Sequence, residues 1–162
     1  MKQQIRRNLF ETNSSSVHSI VITKESNISI PENLYITKKG FGWENEVYDD
    51  VEDRASYLYT AIRGCIKEND QPRYINKLIK FLEKLGVEVE IDHERDDDYY
   101  FGIDHADELL DFIKDIFNDE DYLFNYLFSP TSYIMTGNDN EDPNPYDDEV
   151  PDNTIYHFIK SN

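Results

Sequence analysis

Between Val51 and Ile91 the spacing of apolar residues changes period across one glycine, and this limits the folds open to the chain. Val51, Ala55, Leu58, Tyr59, Ile62, Cys65 and Ile66 recur at three- and four-residue steps, as on one helix face. After Asp70, with Pro72 suited to a first turn, Ile75, Leu78, Ile79, Leu82 and Leu85 repeat that spacing. Gly86 is a natural stop, and Val87-Glu88-Val89-Glu90-Ile91 then alternates as a half-buried strand does. A helical hairpin that runs into a strand needs a sheet to cover its apolar stripes.

The remaining segments supply that sheet. Strands are expected over 17–23, 34–37, 99–103, 131–136 and 155–160. The segment KKGFGWENEVYDD reads as a loop or irregular hairpin. Asp104 is placed to cap a helix striped by Leu109, Leu110, Phe112, Ile113, Ile116 and Phe117. A break at Asn118 and a second short helix to Phe128 follow. Strands and helices come in pairs, which is not the alternation of a doubly wound sheet. The expected fold is α+β, a single domain with a mostly antiparallel sheet and helices packed on one face. Its parts are a body over 1–136, an acidic proline-containing loop over 137–153 that is extended or disordered, and a C-terminal strand over 154–162.

Charge bounds the partners. The net charge is −18, and it is unevenly spread. Residues 1–40 hold six Lys/Arg against three Asp/Glu, whereas 92–121 hold thirteen acidic against two basic, and 138–152 hold seven acidic and none basic. Such a surface repels nucleic acid and anionic membrane and attracts basic proteins. Direct nucleic-acid binding is therefore not expected. Solubility alone is the plainer explanation of the same charge. There is no apolar run of membrane-spanning length and no secretory h-region, so the cytoplasm, here of a bacterial host, is the expected compartment. The single Cys65 has no internal disulfide partner.

The opening RNLFETNSSSVHSIVI supports two readings. Hydroxyls and backbone N–H groups in a tight turn can cradle an anion, so Arg7, Asn13, Ser14, Ser15, Ser16 and His18 would bind phosphate or a nucleotide, with His18 as acid or base. The plain alternative is a serine-rich turn with His18 on the solvent face. Asp104 and His105 follow an expected strand, where sites are common. Together with His93 and His18 they offer carboxylate and imidazole ligands, but neither HxxxH nor HxH spacing occurs and no metal is expected. The acidic runs lack the glycine an EF-hand turn requires, and no GxSxG elbow is present. Cys65 falls on an apolar helix face and reads as core.

The strings FETNSSSVHS, GFGWENEVYDDVEDRASYLYTAI, FGIDHADELLDF and SPTSYIMTGNDN resemble a family of small phage and prophage proteins. That family has no established activity, so the resemblance implies a context rather than a mechanism. Ala106 stands where the family favours a polar residue. The similar segments are polar loops, which suggests one pocket lined by Ser14, His18, Glu44, Asp104, His105, Asn138 and Asp139.

Two functions follow as expectations. The first is a small acidic phage-type interaction protein that docks on the basic, nucleic-acid-binding surface of a host or defence protein. Asp96, Asp97, Asp98, Asp107, Asp111 and Asp115 would stand in for phosphates. The alternative is a phosphate- or nucleotide-binding enzyme, a hydrolase or transferase. It would use His18, His105 and Asp104 in catalysis and Glu44, Asn138 and Asp139 in binding. Cofactor, oligomeric state and enzymatic activity stay open at this point. An assembly component of the virion has nothing beyond the phage context in its favour.

Overall fold

A computed structural model describes residues 16–42, 44–138, 145 and 149–161. The elements run β1 (Ser16–Thr23), β2 (Asn33–Thr37), β3 (Glu46–Tyr48), α1 (Val51–Cys65), α2 (Gln71–Lys84) and β4 (Glu88–Asp92). A 3-10 helix (Ala106–Leu109), α3 (Leu110–Asn118), α4 (Glu120–Phe128), β5 (Tyr133–Asn138) and β6 (Thr154–Lys160) complete the order. The fold is α+β, with a main antiparallel sheet ordered β3-β5-β1-β6. β2 and β4 pair separately, and in parallel.

The helical hairpin forms for the reasons its spacing gives. The Asp50 carboxylate caps α1 by accepting from the Asp53 N–H at 2.7 Å. Pro72 lies in the first turn of α2, and Gly86 (φ 82°) takes the left-handed turn after it. Leu78 and Leu82 are fully buried, each worth about 1.5–3 kcal/mol relative to exposure. Asp119 caps α4, accepting from the Asp121 N–H at 2.9 Å.

β2 would have an open edge in so small a sheet, and α1 closes it. The N–H groups of Tyr35, Thr37 and Lys39 donate to the side chains of Glu52, Ser56 and Thr60 at 3.3, 3.3 and 3.1 Å. Those acceptors are four residues apart on one helix face, matching alternate residues of the strand.

Strand β1 is buried along its whole length. Ile20 and Ile22 enter the core cluster, with Leu58 and Ile62 of α1, Phe112 and Ile113 of α3, and Leu123 and Leu127 of α4. The expected solvent face of β1, and with it a solvent-facing His18, is therefore corrected: the central position of the strand covers both sides. At its far end Arg54 of α1 is buried and donates to the carbonyls of Leu127 (2.8 Å), Ser129 (2.9 Å) and Ser132, where α4 ends. A cation at a helix C-terminus opposes the negative end of the helix dipole.

Three local expectations change. No strand covers 99–103; only Ile103 makes an isolated bridge, to Phe41, and both Tyr99 and Tyr100 face solvent. The short β3, absent from the expected set, pairs with β5 instead. Asp104 does not cap: His105 occupies the N-cap position of the 3-10 helix, without a side-chain capping bond. β5 runs to Asn138, and β6 pairs directly with β1, so the C-terminal strand is an integral part of the main sheet.

Candidate functional site: an acidic, tyrosine-rimmed groove

A groove of about 660 Å³ opens between two loops. One wall is Gly40, Phe41, Gly42 and Glu44 with Glu46 and Tyr48 of β3; the other is Tyr99, Tyr100, Gly102, Ile103, Asp104 and His105. The bridge Phe41–Ile103 and the bond from the Phe41 N–H to the Gly102 carbonyl (3.0 Å) hold the walls together. Thr136 of β5 donates to the Glu44 carbonyl at 2.7 Å and fixes the first loop to the main sheet.

His18 lies behind this groove and not in it. The ring is fully buried. Its Nδ1 is 2.8 Å from the Tyr57 hydroxyl and its Nε2 is 3.3 Å from the Gly42 carbonyl. A carbonyl only accepts, so Nε2 carries the proton and Tyr57 donates to Nδ1. Burial first, then the nearby Lys160 charge, lowers the His18 pKa to about 3, against a smaller upward effect of the Gly42 carbonyl. Neutral His18 thus positions the Gly42 loop, and both its nitrogens are occupied. From Tyr57 a chain of edge-to-face ring contacts continues through Phe41 to Tyr48, each step 5.0 Å between ring centroids, and reaches the groove wall. Lys160, paired across from His18, is also buried; its ammonium donates to the Ser16 carbonyl (3.0 Å) and hydroxyl (3.1 Å).

Of the residues expected to share a pocket, Glu44, Asp104 and His105 do meet in the groove. Ser16 and Asn138 sit opposite each other at the end of the β1–β5 ladder. Arg7, Asn13, Ser14, Ser15 and Asp139 lie outside the described residues. His105 is the sole non-glycine residue with positive φ among the described residues (φ 50°). Its Nε2 is 3.8 Å from the Asp104 carboxylate. Backbone strain of this kind is concentrated at functional loops. The loop is braced from below, where Ala106 packs against Gly64 of α1 so closely that a Cβ there would come within 2.8 Å. Glycine at position 64 is thus the packing requirement.

The acidic residues divide. Asp96 turns inward, accepting from the Tyr59 hydroxyl (2.8 and 2.9 Å) and from His93 Nδ1 (2.6 Å). This takes it out of any free acidic face and is a correction to the expected set. The Asp98 carboxylate accepts from the Tyr100 N–H at 2.9 Å and shapes the turn that presents the tyrosines. Asp97, Asp107, Asp111 and Asp115 remain exposed, Asp115 with a bond from the Tyr156 hydroxyl at 2.8 Å. Among the described residues, no three His, Cys, Asp or Glu side chains are grouped as a metal ion would require.

Glu46, Tyr48, Tyr99 and Tyr100 were not expected in the site. The strand expected over 99–103 left both tyrosines out of the candidate pocket, although adjacent tyrosines beside an acidic run and Gly102 also fit a loop. Among the described residues no helix is long and apolar enough to cross a membrane. No protein-family model matches the chain, no curated protein matches its sequence, and no solved structure matches its fold.

Proposed function

We propose that the protein is an interaction module that docks on a basic, nucleic-acid-binding surface of another protein, in the phage-type, host-directed context suggested by its sequence. The observation that carries this reading is the groove. Carboxylates of Glu44, Glu46 and Asp104 line it, with two fully presented tyrosines and no lysine or arginine among its described lining. Carboxylates ringed by aromatic faces attract cationic side chains, and aromatics are the side chains that anchor interfaces. Asp107, Asp111 and Asp115 continue the negative surface beyond Asp104 and would steer encounter more than they hold the complex.

The alternative, a phosphate or nucleotide enzyme, has less support. The same three carboxylates repel a phosphate in this groove, and neutral His18 is engaged at both nitrogens.

The test is a titration of the full chain against basic nucleic-acid-binding proteins at low and high salt, with nucleic acid as competitor. Binding should weaken with salt, compete with nucleic acid, and be lost in the combined Glu44→Gln, Glu46→Gln, Asp104→Asn variant. Neutralising Asp107, Asp111 and Asp115 should mainly slow association. Binding untouched by the groove variant, or absent for every basic protein tried, would reject the reading.

A further inference from the structure

We infer that the groove selects arginine: it seats a guanidinium of the partner against Tyr99 and Tyr100 and holds it with the groove carboxylates. This rests on the docking role above and narrows its chemistry.

Carboxylates alone would accept lysine as readily. Three other features favour arginine. Tyr99 and Tyr100 are 95% and 91% exposed, and their rings meet edge to face, with centroids 6.2 Å apart and planes at 79°. That arrangement leaves open ring face toward solvent. A guanidinium is planar and weakly hydrated, so it stacks there at little desolvation cost, whereas an ammonium is compact and strongly hydrated. Second, the same loop already packs a guanidinium on a ring: Arg95 lies 4.6 Å from the centroid of Phe101, the residue after Tyr100. Third, the groove has side-chain-free stretches of wall. Among the described residues, chain neighbours aside, a Cβ added at Gly42 or Gly102 would meet nothing within 4 Å, and neither has positive φ. The space they leave suits a long, flat side chain lying along the main chain, and a guanidinium fork can give a carboxylate two parallel N–H bonds where an ammonium gives one.

The experiment compares three acetylated, amidated peptides, Gly-X-Gly-X-Gly, with X arginine, lysine or citrulline. Calorimetry with the full chain reads their affinities, beside a basic protein that binds it. Arginine should bind roughly two- to fivefold tighter than lysine, the ratio expected from a cation–ring contact at exposed rings. Citrulline, planar but uncharged, should not bind. The double variant Tyr99→Ala, Tyr100→Ala removes only exposed rings, so it should stay folded and bring arginine down to the lysine level. Gly102→Leu should block both cationic peptides without changing the unfolding midpoint. Equal arginine and lysine affinities would overturn the selectivity and leave docking intact. So would failure of both cationic peptides while the basic protein still binds. Loss of all binding, protein included, would overturn both.

Discussion

The two ends of β1 are both polar, and they do different things. At the Thr23 end the polar groups close on one another. The Thr23 hydroxyl lies 2.7 Å from those of Ser129 and Thr131, the Ser132 hydroxyl takes the Thr23 N–H at 2.9 Å, and Arg54 fills three carbonyls nearby. Of these groups the Arg54 Nε, also buried, is left without a hydrogen-bond partner. At the His18 end the buried ring holds a loop whose outer side faces a groove, with exposed carboxylates and tyrosines and one strained residue. A polar segment becomes a candidate site when its groups surround space, and becomes a structural knot when they satisfy one another.

This contrast can be broken most forcefully at Arg54. Arg54→Met removes the guanidinium from three buried carbonyls, of which that of Ser129 keeps the Ser132 N–H at 3.2 Å, and should cost about 3 kcal/mol or more, read as a lower urea midpoint, with peptide binding by the folded fraction unchanged. A loss of binding at constant stability would show that the two ends are coupled.

An effect of comparable size over its full range is a pH dependence at the other end. The folded-state pKa of His18 is about 3, below its ordinary 6.5. The unfolded chain therefore binds the proton more readily. His18 contributes its full stability above about 6.5, and loses it as pH falls toward 3, at about 1.4 kcal/mol per unit within that window. His18→Gln should flatten this part of the profile of unfolding free energy against pH. An unchanged profile would refute the assigned neutral state.

A smaller loss is expected from Thr23→Val, about 1–2 kcal/mol, because the substitution strands the Ser129 hydroxyl, while that of Thr131 keeps the Glu25 carboxylate. The smallest effect has the opposite sign. His105→Gly relieves the left-handed backbone and should raise stability by about 0.5–1 kcal/mol, while loosening the groove rim and weakening binding. Thermal unfolding and peptide titration on the same sample separate the two. If stability falls instead, the His105 conformation is not a source of strain.

Much of the fold was legible along the chain because helices and caps are local. The apolar stripe of α1, the Pro72 start, the Gly86 stop and the restart after Asn118 each depend on neighbours within a few residues. The acidic groove was partly legible: Glu44, Asp104 and His105 were marked as polar loop residues, and they meet. Asp96 was misplaced because a carboxylate in an acidic run looks solvated until a tyrosine 37 residues away is found beside it. β3 was missed because three residues carry too little alternation to register, and its partner β5 lies far along the chain.

The sequence by itself determined which segments are helical, where they stop, that the sheet is antiparallel in the main and that the surface is strongly negative. These follow from periodicity, capping and composition, which act over short range or need no geometry. Only the tertiary structure decided that β2 and β4 pair in parallel, that His18 is buried between Tyr57 and Gly42, and that two loops some 60 residues apart in the chain form one groove. Those outcomes depend on which distant groups share a small space after the core has packed. Burial, not residue type, then fixes whether a histidine or a carboxylate faces a ligand or the protein itself.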